Sequence, residues 1–256
     1  TDGDPSGGDV RYAEGVTLLD YPHIERTAMF HPSELVVSVF PVSVAPVEVG
    51  YLMGSGDDGL RALRQMGVLV REVTPAEIAS GVPGELDVLV LGIRVYETQP
   101  QVVAANERIL EFARAGGTVV VQYNKYEYPA GGFAPYPVEM GRPAPRVTDH
   151  DSPVEILDPS SPVIAGANRI TADDFRGWVQ ERGLYFLREW DEPFRPVLTF
   201  QDPGEAPVAG ALVAAPVGEG AYVYTGISFF RQFPAGVPGA HRLFANLISL
   251  RGSDLR

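Results

Sequence analysis

The sequence predicts an α/β fold with a mostly parallel central sheet, entered through an N-terminal extended β-rich arm. Three observations predict it. From Val47 onward, short apolar runs alternate with helical patterns. One run, Val88–Ile93, is apolar throughout apart from Gly92, as expected of a strand buried on both faces. Three of the runs also close on polar or aromatic residues: Ser55 and Asp57, then Arg94, Tyr96 and Glu97, then Tyr123 and Asn124. Open α/β sheets keep their ligand crevice at the carboxyl ends of such strands.

Residues 1–46 read as an acidic tail and an extended arm, and residues 47–252 as the α/β domain. The tail, TDGDPSGGDVRYAEG, has the composition of a solvated segment. Within it Asp2, Asp4 and Ser6, followed by Gly7, match the opening of a calcium loop. Ala13 stands where that loop needs a bidentate carboxylate, and Glu14 comes one place late, so a solvated tail competes with a calcium site there. Val16–Leu19 and Leu35–Val44 are β-rich but punctuated by Pro22, Pro32, Pro41 and Pro46, which favours edge strands and turns. His31 beside Glu34 makes a surface turn rather than a metal site.

Val47–Met53 reads as the first strand of the domain. Gly54-Ser55-Gly56-Asp57-Asp58 then turns into a helix over about Gly59–Met66. Aspartates at a helix start suit its dipole and would repel a phosphate, and the third glycine of a dinucleotide fingerprint is missing. Val68–Val73 is the next strand. Thr74-Pro75-Ala76-Glu77 is a capping box with proline at the first helical position, opening a helix that stops at Gly81. After Leu86–Ile93 an apolar stripe predicts a helix over Gln99–Ala115, ended by Gly116-Gly117. Thr118–Tyr123 is a strand.

Residues 128–153 carry no period and read as a long loop of functional or mobile character. Val154–Leu157 reads as a strand, and Thr171 opens a turn or short helix carrying an exposed acidic pair, Asp173-Asp174. Gly210–Ala215 and Ala221–Thr225 form a hairpin around Gly218-Glu219-Gly220, and Ala240–Leu250 closes the chain as a core-facing helix.

Composition narrows the functions. A net charge of −13 over 256 residues leaves no basic surface for nucleic acid or for an anionic membrane. No apolar run approaches the ~20 residues of a membrane span. With no cysteine there is no disulfide, no thiolate metal site and no cysteine nucleophile. Absence of cysteine is compatible with a secreted or periplasmic address. Since the chain shows no secretory leader, that address would require a removed leader or a fragment.

Several stretches carry a resemblance: VGYLMGSGDD, ALRQMG, GIRVYETQP, GGTVVVQYNKYE, NRITADDFRGWVQERGLYF and GAYVYTGISFFRQFPAGVPGAHRLFANLISL, with DYPHIERTAMFHP upstream. Together they resemble the C-terminal region of long bacterial PIG-L (LmbE-like) family proteins, over about Asp20 to Gly252. That family's N-terminal part is a zinc-dependent N-acetylglucosamine-type deacetylase. Its C-terminal region is similar to the class I glutamine amidotransferase fold, a flavodoxin-like three-layer sandwich. The deacetylase motif A-H-P-D-D-E is absent here, so the resemblance places zinc only in a domain outside these residues. Glutamine amidotransferases use a cysteine at a tight strand-to-helix turn. The equivalent turn here offers Arg94, Val95 and Tyr96, and arginine stays protonated and cannot attack.

Three functions are consistent with these readings. The first is a non-catalytic accessory domain whose crevice, formed by Ser55, Asp57, Arg94, Tyr96, Glu97, Tyr123 and Asn124, binds glycan or a partner such as the deacetylase domain. Carboxylates, amides and rings are the groups that recognise sugars, and Trp178, Gln180 and Tyr185 would add to them. The second is an assembly module, with the arm lying against a neighbouring domain or another copy in a homo-oligomer. The third is a cysteine-free hydrolase built on Ser228 or Ser55, His241 and a carboxylate, although no G-x-S-x-G elbow exists. His150 with Asp149 and Asp151 is the one local His/Asp cluster and reads as a solvated turn.

Overall fold

The computed structural model describes residues 13–34 and 37–256. They fall into two compact units that divide between Val39 and Phe40. The first holds an antiparallel hairpin, Glu14–Leu19 with Thr27–Pro32, in which Val16 lies opposite Phe30 and Leu18 opposite Ala28. His31 is spent inside this hairpin, on the Thr17 hydroxyl (3.2 Å) and the Pro32 carbonyl (3.0 Å).

The expected strand over Leu35–Val44 does not form among its described residues, and the hairpin's second strand is Thr27–Pro32 instead. Pro41 and Pro46 remove donors that a ladder needs. The remaining backbone groups find side chains: Ser43 N–H donates to Asn168 Oδ1 (2.8 Å) and Ala45 N–H to Ser249 Oγ (3.1 Å).

In the second unit seven strands make one sheet: β1 (Glu48–Leu52), β2 (Leu69–Val73), β3 (Val88–Leu91), β4 (Thr118–Gln122), β5 (Arg195–Pro196), β6 (Leu212–Val217) and β7 (Gly220–Thr225). Their order is β5-β6-β7-β4-β3-β1-β2. The five strands β2, β1, β3, β4 and β7 run parallel, and β6 and β5 add an antiparallel edge. This is the flavodoxin-like order, whose topological switch point lies between β1 and β3.

Alternation along each strand sorts the side chains into two cores. Val49, Tyr51, Val90, Val120 and Val223 pack on one face with helices α1 (Gly59–Gln65) and α7 (Pro238–Ile248). Leu52, Leu89, Leu91, Val119, Val121 and Tyr222 pack on the other, beneath helix α5 (Asn106–Arg114). Burying each of Leu243, Phe244, Leu247 and Ile248 of α7 contributes roughly 1.5–3 kcal/mol.

Helix α2 (Pro75–Ser80) has the expected capping box: Glu77 N–H donates to Thr74 Oγ1 (3.2 Å) and Thr74 N–H to Glu77 Oε2 (2.7 Å). The single helix expected over Gln99–Ala115 is interrupted. Helix α3 (Val95–Thr98) leads into α4 (Pro100–Ala104), and Ala105 breaks the path to α5. The cause lies in Asn106. Its side chain turns inward to accept the Tyr96 hydroxyl (2.6 Å) and to donate to the Phe133 carbonyl (3.1 Å).

The 128–153 stretch is packed rather than loose. Helix α6 (Glu127–Ala130) opens it, Phe133 stacks on Tyr96 at 4.5 Å, and Val138–Glu139 pairs with Glu189–Trp190. Asp174, expected to be exposed, is buried. It accepts the Thr171 N–H (2.8 Å) and pairs with Arg242 (3.1 Å), while Asp173 stays exposed.

Candidate functional site

Strand β3 leaves the sheet through Gly92 and Ile93 and turns into α3 at one residue. That residue, Arg94, is left-handed (φ 57°, ψ 28°). A non-glycine residue there costs about 1–2 kcal/mol, so the surroundings must hold it. Arg94 N–H donates to the Tyr123 carbonyl (2.8 Å), and its own carbonyl accepts from Glu97 N–H (3.1 Å), Thr98 N–H (3.1 Å) and Thr98 Oγ1 (3.1 Å). The turn after β1 passes close by: Ser55 N–H donates to the Ile93 carbonyl (2.9 Å), and any Cβ on Gly54 would collide with that oxygen.

The Arg94 guanidinium forks onto Glu97, Nε to Oε2 and Nη2 to Oε1, both 2.7 Å. Lys125 Nζ reaches the same Oε1 at 3.0 Å. These side chains are about a third exposed. The Arg94 fork, helped by Lys125, holds the Glu97 carboxyl down to about 2, and Glu97 in return raises Arg94.

Next to this triad lies Tyr123, its ring stacked with Tyr185 (5.9 Å, 6°) and tilted against Phe230 (5.4 Å). Only 7% of Tyr123 is exposed, and among the described residues its hydroxyl has no hydrogen-bond partner. Burial raises its pKa, while Arg94 and Arg231, from two sides, act to lower it.

Arg231 belongs to a second triad. Its Nε donates to the buried Glu181 (2.7 Å), and Arg146 Nη2 donates to the other carboxylate oxygen (2.8 Å). Arg231 also donates to Gln180 Oε1. The left-handed non-glycine residues among those described, Arg94, Gln180 and Tyr185, all belong to this rim. Such strain is stored where surroundings over-determine it, often at binding sites.

The sequence-predicted residues separate here. Arg94, Glu97 and Tyr123 come together at the carboxyl end of the sheet, and Ser55 is exposed with its hydroxyl near the Ile93 carbonyl (3.4 Å). Asp57 is occupied by the frame: it accepts the Tyr51 hydroxyl, Gly59 N–H (2.8 Å) and Ile93 N–H (3.2 Å), while Gln122 Nε2 donates to Tyr51 (2.7 Å). Tyr96 points into the core. Asn124 is fully buried, accepting Tyr96 N–H (3.0 Å) and donating to the Gln122 carbonyl (2.9 Å).

Of the later residues, Trp178 is core, with its indole N–H on the Asp174 carbonyl (2.9 Å). Ser228 Oγ donates to the Glu181 carbonyl (2.7 Å), and His241 Nδ1 lies 2.8 Å from the Val237 carbonyl; the two side chains share no hydrogen bond. His150 pairs with Asp151 at 3.5 Å on the surface. Asp2, Asp4 and Ser6 lie outside the described residues, and among those described no three metal-ligating side chains converge.

Sequence reasoning missed the Glu181–Arg231–Arg146 triad. Its members are 35 and 50 positions apart, with no local pattern to join them. Lys125 had a signal, standing directly after Asn124 at a strand end.

No family model and no curated protein matches this sequence. Solved structures do. PurLQS from Thermotoga maritima is 12% identical, covering 80% of this chain and 98% of that one at a TM-score of 0.52. The cytoplasmic protein STM3548 from Salmonella typhimurium is 16% identical, covering 92% and 94% at a TM-score of 0.50. At these identities the likeness concerns the fold alone: the chain has a class I glutamine amidotransferase-like fold.

Proposed function

We propose that this chain is a non-catalytic, amidotransferase-like accessory domain whose strand-end crevice binds glycan, in the setting of the PIG-L-type deacetylases that its motifs resemble. One observation carries the reading. The left-handed corner where this fold would present a nucleophile carries Arg94, and Glu97 holds its guanidinium in a two-pronged clamp. An arginine there binds and orients but does not attack. Beside it, the Tyr123, Tyr185 and Phe230 rings and the polar groups of Lys125 and Gln180 supply the two kinds of contact a sugar ring needs. Fold alone does not assign this role; the residues at the corner are what support it.

The test is a calorimetric titration against a panel of neutral, amino and acidic oligosaccharides. Binding by at least one of them, weakened by Arg94→Ala, supports the reading. No binding at millimolar sugar, or binding indifferent to Arg94→Ala, removes it.

A second reading, assembly, has its own observation. The hairpin of the first unit exposes Val16 (52%), Leu18 (53%) and Phe30 (69%) on one face. A two-stranded hairpin is marginal alone and gains from covering such a face. Light scattering on the wild type and on a Leu18→Ser, Phe30→Ser variant distinguishes a partner-seeking face from a solvated one.

A further inference from the structure

We infer that the crevice is built for an anionic glycan, a carboxylated oligosaccharide in preference to a neutral one. The inference rests on the glycan-binding reading above and narrows it.

The chain as a whole carries a net charge of −13. Around Tyr123 the balance reverses locally. Arg94 and Lys125 share the one carboxylate of Glu97, and Arg231 and Arg146 share that of Glu181. Each triad taken by itself holds two cations on one carboxylate. The other charged groups nearby are Glu127, which accepts the Lys125 backbone N–H (2.9 Å), Asp202, which interacts with Arg146, and Arg142, which lies over the Tyr126 ring at 4.0 Å, so the cations still outnumber the carboxylates by one. Tyr126 in turn meets Tyr185 edge-on.

Hydrogen-bonding capacity points the same way. Glu97 already accepts three donors and Glu181 two, so neither has much left to offer a ligand hydroxyl. What stays unspent is donor capacity. The Lys125 ammonium has one side-chain partner out of three possible, and Arg146, more than half exposed, uses one of its five N–H groups. Tyr123 is 7% exposed as a residue, and its hydroxyl makes no side-chain hydrogen bond among the described residues. A rim of donors lacking acceptors matches a ligand rich in acceptors. A carboxylate supplies these together with the matching charge, and the half-buried Tyr185 ring provides a face for the sugar.

The test uses two probes of one shape, tetragalacturonate and its fully methyl-esterified form, titrated into the whole chain by calorimetry. The free acid is expected to bind about tenfold more tightly than the ester, with the gap narrowing as salt is raised. Lys125→Gln and Arg146→Gln should each shrink that preference several-fold, by weakening the acid more than the ester. Neither substitution strips the carboxylates of their remaining partners, Arg94 and Arg231, so the fold is retained, and circular dichroism checks this. Equal binding of acid and ester, or a preference untouched by both substitutions, overturns the inference and leaves the glycan reading standing. If neither probe nor any neutral oligosaccharide binds, both fall together.

Discussion

The turns after β1 and β3 lie against each other at the same end of the sheet, and each carries a charged residue. They do different work. Asp57, after β1, accepts a buried tyrosine hydroxyl and two backbone N–H groups, one of them from the neighbouring turn. Arg94, after β3, spends its backbone on the frame and leaves its head group at the surface with Glu97 and Lys125. Position at a strand's carboxyl end therefore does not make a residue available. What decides is whether its hydrogen bonds are already consumed by the scaffold.

The largest effect should come from the consumed side. Asp57→Ala strips acceptors from Tyr51, Gly59 and Ile93 and should cost about 3 kcal/mol in urea denaturation, because buried donors are left unpaired. Repeating it in a Tyr51→Phe background should recover part of the loss. Equal costs in both backgrounds would mean that the hydroxyl contact contributes little. Asn124→Ala comes next, at about 2 kcal/mol, since it orphans the Tyr96 N–H and the Gln122 carbonyl in a fully buried site.

On the exposed side the expected effects shrink. Arg94→Gly should be more stable than Arg94→Ala by about 1 kcal/mol, because only glycine relieves the left-handed backbone. A more stable alanine variant would break the comparison. Smallest is the pH effect of Glu97. Its carboxyl is held at about 2 in the folded chain, below its ordinary value of 4.5. Its contribution is therefore complete above the ordinary value and lost as pH falls from about 4.5 towards 2. Exposure keeps that contribution below about 1 kcal/mol. Stability of wild type minus Glu97→Gln, followed across that window, should converge at the acid end.

Much of the scaffold was legible because local patterns produced it. Apolar runs marked β3 and β4, Thr74 with Glu77 marked the cap of α2, and Gly218-Glu219 marked the β6–β7 turn. The corner at Arg94 was legible as a place, but its left-handed backbone was not, since nothing in the residue type announces it. Tyr96 and Asn124 misled because the sequence gives their address without the direction of their side chains. The break at Ala105 escaped notice for a related reason. Asn106 fits a helical stripe, and only its distant partners, Tyr96 and Phe133, pull it inward. The Glu181 triad needed three segments far apart in the chain, one of them the short helix Phe229–Gln232, to converge, which no local pattern encodes.

The borders of the sheet have a consequence of their own. On one side β5 ends in Pro196, which has no N–H to lend to an incoming strand. On the other, β2 carries Arg71 bridged to both Glu77 and Glu85. A strand arriving from solvent meets a missing donor at one border and fixed charges at the other, and such features discourage end-to-end polymerisation. A protein so bounded can be concentrated beside its neighbours without being drawn into fibres through this sheet.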